Sequence, residues 1–206
     1  MTVSPFVVYE SLLALAGEPQ HDVRVGELRA EFFRRTGAFS STDPFYERRT
    51  RAFWDFALTT GGLARELSAR LPEAERRVAL TFSRAHRGLF EVTPERGTRV
   101  HFEDLWSGAA FFVDAFDVAT NAGIFHHEGG LADARLVASP EGVVALLSGV
   151  FFHPHDATPH IVKVLDEARA RGMTRDATLD ALLGMELRLA TLSRVKAGYA
   201  YTLPKR

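Results

Sequence analysis

The sequence predicts an α+β protein: an N-terminal helical segment, then a small antiparallel barrel-like β-sheet, then C-terminal helices. Three observations predict it. Apolar residues recur at helical spacing through the first 88 residues, residues 89–153 alternate short β-rich runs with turn residues, and helical spacing returns after residue 157. We therefore expect segments 1–88, 89–153 and 154–206. The 206 residues allow these segments to pack as one compact domain or as smaller units.

Start and stop signals predict five helices in the first segment. Ser4 and Pro5 mark the start of the first helix as N-cap and N1, and Gly17 marks its end. Glycine and proline delimit the other helices. Their expected signals, in chain order, are Asp22 and Gly37, Asp43-Pro44 and Gly61-Gly62, a short helix after Gly62, and Pro72 and Gly88.

Five short strands are predicted in the middle segment. They cover 90–92, 99–102, 109–116, 131–139 and 143–152. Glu95-Arg96-Gly97 predicts a hairpin turn between the first two. Five short strands bury little surface as a flat sheet, so a curled, barrel-like sheet is favoured.

Two helices are predicted after the sheet. Thr158-Pro159 starts the first and Gly172 ends it. Thr174 or Asp176 caps the second, which has a broad apolar face. The tail YAYTLPKR is expected to dock through its tyrosines as an extended piece.

Composition excludes several classes of function. The chain has no cysteine, which removes disulfides, thiolate nucleophiles and cysteine zinc sites. The apolar N-terminus lacks a basic region, and no apolar run approaches the ~20 residues of a membrane span. We therefore expect a cytoplasmic protein without membrane association. The pI of about 6.7 and the dispersed arginines argue against nucleic-acid binding.

The stretches DPFYERRTRAFWDFAL, SRAHRGLFEV, FEDLWSGAAFFV and ADARLV resemble a group of conserved bacterial proteins of unknown function. Some of those proteins have a C-terminal SEC-C-type metal motif. The resemblance covers roughly residues 40–153 and implies a helical segment followed by a compact β segment. The SEC-C cysteines are missing here, so the resemblance implies no metal role.

A weaker similarity is to PilZ-type barrels, which bind cyclic di-GMP. Asp104-Leu105-Trp106-Ser107-Gly108 lies where such a barrel would have D/N-x-S-x-x-G, with Trp106 in the serine position. The middle segment has 3 basic and 9 acidic residues, a poor environment for a bis-phosphate. The similarity implies a degenerate PilZ-like adaptor, with a cyclic-dinucleotide receptor as the alternative.

The stretch FFHPHDATPH is a candidate metal site, because imidazole and carboxylate together suit zinc or iron. The candidate ligands are His153, His155, Asp156 and His160, with His126 and His127 from another loop. The competing interpretation is a strand-to-helix elbow in which Pro154 ends the sheet and Asp156 or Thr158 caps the helix. On that interpretation the protein needs no cofactor.

Aromatic pairs suggest a partner surface. FF, FW, FF and FF occur at 32–33, 53–54, 111–112 and 151–152, so that one ring of each pair can fill the core and the other needs a cover. The candidates for a protein partner or homodimer surface are Phe33, Trp54, Phe112 and Phe125.

Catalytic signatures are missing from the sequence. G-x-S-x-G, H-E-x-x-H, G-x-x-x-x-G-K-[ST] and G-x-G-x-x-G do not occur. No catalytic residue can be named, and we expect a non-catalytic interaction or regulatory protein. The alternatives are a metal-binding module or metal-dependent enzyme at the histidines, and the PilZ-like protein.

Overall fold

A computed structural model describes residues 3–94, 99–114, 130–192 and 196–204. Within these residues the chain forms eight α-helices and a six-stranded antiparallel sheet, which confirms the predicted α+β class. None of the helices in this part of the chain is both long and apolar enough to cross a bilayer.

Five helices precede the sheet. They are α1 (Pro5–Ala16), α2 (Asp22–Thr36), α3 (Tyr46–Leu58), α4 (Leu63–Leu67) and α5 (Glu73–Thr81). The predicted cap of α1 is confirmed, because the Ser4 hydroxyl accepts from the Phe6 N–H at 3.3 Å. The predicted start of α3 is early, because Asp43 accepts from the Ser40 N–H in a preceding turn.

The sheet consists of β1 (His86–Pro94), β2 (Arg99–Asp104), β3 (Ala110–Asp114), β4 (Ala132–Ala138), β5 (Val144–Leu146) and β6 (Phe151–Phe152). Its order is β3-β2-β1-β4-β5, and β6 pairs with β4. Gly88 does not end α5 as predicted, because it lies inside β1 opposite Ala134. The predicted hairpin turn lies outside the described residues, although β1 and β2 do pair antiparallel.

The fifth predicted strand is split into β5 and β6. Gly149 lies so close to α3 that a Cβ on it would be 2.7 Å from the Ala52 Cα. The Gly149 N–H donates to the buried Asp55 carboxylate at 2.9 Å. This contact pulls the chain out of the sheet between the two strands.

The sheet is curled but not closed. Its outer strands β3 and β5 approach within 8 Å between Cα atoms although three strands separate them in the sheet order. No described residues form a ladder between those two strands, so the barrel-like prediction holds for the curvature and not for closure. The concave side is lined by an apolar cluster that includes Phe90, Phe102, Val113 and Phe152.

Three helices follow the sheet: α6 (Thr158–Ala170), α7 (Arg175–Thr191) and α8 (Ala197–Ala200). Thr174 caps α7 as predicted, since its hydroxyl accepts from the Ala177 N–H. Of the tail, Tyr199 and Ala200 lie in α8, and residues 202–204 follow without helix or strand. Tyr201, just after α8, is buried, whereas Tyr199 is 78% exposed.

The helices cover the convex side of the sheet in two apolar clusters. One joins α1–α5 with Val137, Leu147 and Phe151 of the middle segment and with Leu183 of α7. The other joins α6–α8 with Leu89 and Leu131. Charged side chains lie between these clusters and are described below.

Candidate functional site

The predicted metal ligands occupy different environments. His153 directly follows β6 and is fully buried, whereas His155 and Asp156 are exposed in the turn before α6. His160, in the first turn of α6, lies against Gly198: a Cβ on that glycine would be 2.8 Å from the His160 Cε1. His126 and His127 lie outside the described residues. Within those residues, no three histidine, aspartate or glutamate side chains form a group that could hold a metal ion. The metal site stays a prediction.

The elbow around His153 has its own hydrogen bond. His153 Nδ1 is 2.7 Å from the hydroxyl of the buried Tyr201, so the tail of the chain is joined to the end of β6. His153 Nε2 is buried and has no hydrogen-bond partner. Burial lowers the pKa of His153 to about 4, so the imidazole is neutral near pH 7.

His153 lines a cavity of about 340 Å³ at the junction of β6, α3 and α7. Its walls are Arg48, Phe152, His153, Pro154, Glu186, Leu189 and Ala190. We call this space the inner cavity. It combines apolar walls with a few polar groups, which is typical of small-molecule sites.

Two arginines of α3 surround the one carboxylate of the inner cavity. Arg48 donates to Glu186 at 2.7 Å, and the fully buried Arg49 lies 3.4 Å from the other Glu186 oxygen. Arg49 also donates to the Thr36 carbonyl at 2.8 Å, across to α2. Burial lowers the pKa of Arg49 to about 10, so that it still bears a proton at pH 7. The cluster therefore has two positive charges and one negative charge.

A second buried ionic cluster ties α7 to the sheet. Arg87 on β1 donates to Asp133 on β4 at 2.9 Å and to Asp180 on α7 at 2.5 Å. Arg35 on α2 donates to the other Asp180 oxygen at 2.6 Å. The buried Arg135 lies directly opposite Arg87 in the β1–β4 register. Like charges directly opposite each other repel, and the attraction of Asp133 and Asp180 for both arginines offsets this repulsion.

Asp55 on α3 forms a third buried polar contact. Its carboxylate accepts from the Tyr9 hydroxyl at 2.8 Å and from the Gly149 N–H at 2.9 Å. Ser148 donates in turn to the Tyr9 hydroxyl at 3.1 Å. Burial raises the pKa of Asp55 to about 6. These bonds fix the loop between β5 and β6 against α1 and α3.

A groove runs along the exposed face of α3 and ends at the inner cavity. Beyond that cavity are a middle depression of about 510 Å³ and an outer depression of about 290 Å³. The middle one shares Arg48 and Ala190 with the inner cavity, and it shares Arg51 and Ser148 with the outer one. We call this row the α3 groove. Its lining beyond the inner cavity is Phe6, Tyr9, Glu10, Leu13, Pro44, Phe45, Glu47, Arg51, Trp54, Ser148 and Val150.

The three described candidates for a partner surface lie in three different places. Trp54 lines the outer depression, Phe33 lines a separate depression beside Phe39, and Phe112 is 47% exposed on the edge strand β3. Phe125 lies outside the described residues. Sequence reasoning missed Phe6, which is also 47% exposed and lines the outer depression next to Trp54. The run Phe6-Val7-Val8 contained the signal, because one helix face cannot bury all three.

The turn that resembles PilZ proteins has a structural role. Asp104 Oδ1 accepts from the N–H groups of Leu89 and Trp106, both at 3.2 Å. Asp104 Oδ2 accepts from the Ser107 hydroxyl and lies 3.1 Å from His86 Nε2. These bonds hold the turn in its fold, and the similarity to PilZ-type proteins stays a prediction.

The buried charges were also missed at the level of sequence. In ADARLV, Asp133 and Arg135 alternate with Ala132, Ala134 and Leu136, which predicts a strand with one polar face. Such a face is usually solvated, but here helices cover it and both charged residues are about 2% exposed. The alternation predicts that Asp133 and Arg135 share one face of the strand. It does not predict that this face is buried, because the burial depends on tertiary packing.

Comparison with known proteins gave no match. No protein-family model, curated protein or solved structure gives a significant match to this chain.

Proposed function

We propose that the protein is a non-catalytic interaction protein whose α3 groove binds an extended segment of a partner protein. One observation supports this most directly: the outer depression combines an apolar anchor site, formed by Phe6 and Trp54, with the guanidinium of Arg51. Aromatic residues and arginine are the side chains most enriched at interaction hot spots.

The length of the groove fits a short extended segment. From Phe45 to Trp54, α3 advances about 14 Å at ~1.5 Å per residue. That distance corresponds to about four residues of an extended chain at ~3.3 Å each.

The exposed guanidinium of Arg51 favours an acidic group in that segment, placed away from Glu10 and Glu47, which also line the groove. Arg51 is exposed and forms no ion pair with any residue in the part of the chain that the structure describes, including Glu47 one helical turn earlier. Although helix geometry brings residues at i and i+4 together, Glu47 and Arg51 do not form a pair. The proposed occupant has an aromatic or aliphatic side chain for the Phe6–Trp54 end and a carboxylate for Arg51.

Selection from a random peptide library tests this proposal. We expect the recovered peptides to combine an apolar anchor with Asp or Glu. Calorimetry should show at least tenfold weaker binding to the Phe6→Ala and Arg51→Glu variants than to the wild type, because these changes remove the anchor wall and reverse the charge.

Phe112→Ala is the matched control, because Phe112 has the same exposed fraction as Phe6 and lies on β3, away from the groove. If the peptides bind the Phe6→Ala variant normally but bind Phe112→Ala more weakly, the binding surface is the edge of the sheet and not the α3 groove. If sedimentation shows a dimer and the Phe6→Ala substitution dissociates it, the groove binds a second copy of the chain instead of a peptide. Failure to enrich any peptide would also count against the proposal.

A further inference from the structure

The Nε2 atom of His153 is a buried polar atom that has no hydrogen-bond partner and belongs to a residue lining a cavity. A buried polar atom without a partner costs about 1–3 kcal/mol, so such atoms call for an explanation. His153 is fully buried and its Nε2 has no partner, while it lines a cavity that opens into the α3 groove.

The hydrogen bond to Tyr201 decides what Nε2 can bind. If the Tyr201 hydroxyl donates to Nδ1, the ring proton is on Nε2, which is then a donor that lacks an acceptor. If Nδ1 donates to Tyr201 instead, both Nε2 and the tyrosine proton lack partners among the described residues. The first arrangement leaves one group unsatisfied rather than two, so it has the lower energy.

We propose that the inner cavity binds the carboxylate of a small aliphatic acid, with His153 Nε2–H and Arg48 as donors. Arg48 donates to Glu186 through one Nη only, so its other N–H groups can reach a ligand. The two arginines against one glutamate leave a surplus positive charge, which favours an anion. This inference concerns the cavity alone and does not rest on the binding of a peptide in the groove.

The apolar walls favour an organic acid over an inorganic oxyanion. The hydrocarbon chain of such an acid can pack against Phe152, Pro154, Leu189 and Ala190. A phosphate ion has no apolar part that could pack against these walls. At about 30 Å³ for each water-sized group, the 340 Å³ cavity holds an acid of about ten non-hydrogen atoms. Butyrate and hexanoate are therefore suitable probes.

A metal at this position requires the opposite tautomer. A metal ion binds the lone pair of a neutral imidazole nitrogen, so Nε2 would be bare and Nδ1 would donate to Tyr201. The two hypotheses are therefore separated by the position of one proton, which can be observed before any ligand is added.

Nitrogen-15 NMR of the full chain with labelled histidine tests the proposal. We expect His153 in the Nε2–H form at pH 7, and a saturable shift of its Nε2 resonance on titration with butyrate or hexanoate but not with inorganic phosphate. Arg48→Gln should weaken the binding at least tenfold, because it removes a charged donor. His155→Gln is the matched control, since His155 is exposed in the next turn, and it should bind the acid as the wild type does.

Three results would overturn the proposal: an Nδ1–H tautomer, an equal response to phosphate, or no response to either acid at millimolar concentration. If the wild type retains stoichiometric zinc and His153→Gln does not, the ligand of the cavity is a metal ion and not an organic acid. Because these measurements use no peptide and leave Phe6 and Arg51 unchanged, their failure is distinguishable from failure of the proposed groove function.

Discussion

At the scale of single residues, the core contains two titratable groups whose pKa values burial shifts in opposite directions and past each other. Burial raises the pKa of Asp55 from 3.8 to about 6 and lowers the pKa of His153 from 6.5 to about 4. Between pH 4 and 6, the folded protein therefore binds one more proton at Asp55 than the unfolded chain does. Over nearly the same range it binds one proton fewer at His153. Stability falls with rising pH through Asp55 and rises through His153, so the two contributions oppose each other.

Replacement of either residue should expose the contribution of the other. Each shift of about two units corresponds to about 3 kcal/mol. From pH 4 to 6.5, we expect the free energy of unfolding of Asp55→Asn to rise relative to the wild type by about that amount. For His153→Gln we expect it to fall by a similar amount. Urea unfolding at several pH values measures both slopes. Parallel pH profiles for the wild type and the two variants would show that neither group titrates as described.

At the scale of the elements, Asp180 joins α2, α7 and β1 through one buried carboxylate. It is 6% exposed and accepts from Arg35 and Arg87. Burial lowers the pKa of Arg87, but Asp133 and Asp180 outweigh this effect and hold the pKa above its usual value. Arg87 therefore stays charged when the helices pack on the sheet.

Asp180→Ala should destabilise the fold by about 3–5 kcal/mol, because it leaves two guanidinium groups with less compensation in the interior. Asp166→Ala is the control on the adjacent helix. Its carboxylate is 69% exposed and pairs with Arg169 at 3.3 Å, so we expect a change within about 0.5 kcal/mol. The midpoint of guanidinium unfolding measures both changes. Similar losses for the two variants would contradict a special role for the buried carboxylate.

The limits of sequence-based prediction are also clearest at this scale. Ser4, Gly37 and Thr174 define helix ends through local bonds and backbone preference, and their predicted positions were confirmed. Gly88 and Gly149 were misinterpreted because their roles depend on distant residues, Gly88 as a strand residue paired with β4 and Gly149 as the neighbour of α3. The end of the sheet before Pro154 was predicted, but neither Asp156 nor Thr158 caps α6. The bond from His153 to Tyr201 spans 48 positions and has no local signal.

At the scale of the whole molecule, the helical clusters are linked by charged side chains and by shared apolar residues. Trp54 packs on the cluster of the N-terminal helices, and Trp106 packs on the cluster of α6–α8. The cluster around Trp54 also includes Phe151 of β6 and Leu183 of α7. Neither cluster can therefore open fully without exposing residues of the other segments.

This sharing predicts a single cooperative unfolding transition. Trp106→Phe leaves Trp54 as the only tryptophan, and Trp54→Phe leaves Trp106, so that each variant reports on one cluster. We expect the fluorescence transitions of both variants to coincide with the loss of helix measured by circular dichroism on the same sample, since coincident probes indicate two-state behaviour. If the fluorescence of Trp106 in the Trp54→Phe variant changes at a lower denaturant concentration than the circular dichroism signal, α6–α8 unfold separately. In that case the buried contacts of Asp180 and Glu186 would not be enough to join the C-terminal helices to the rest of the molecule.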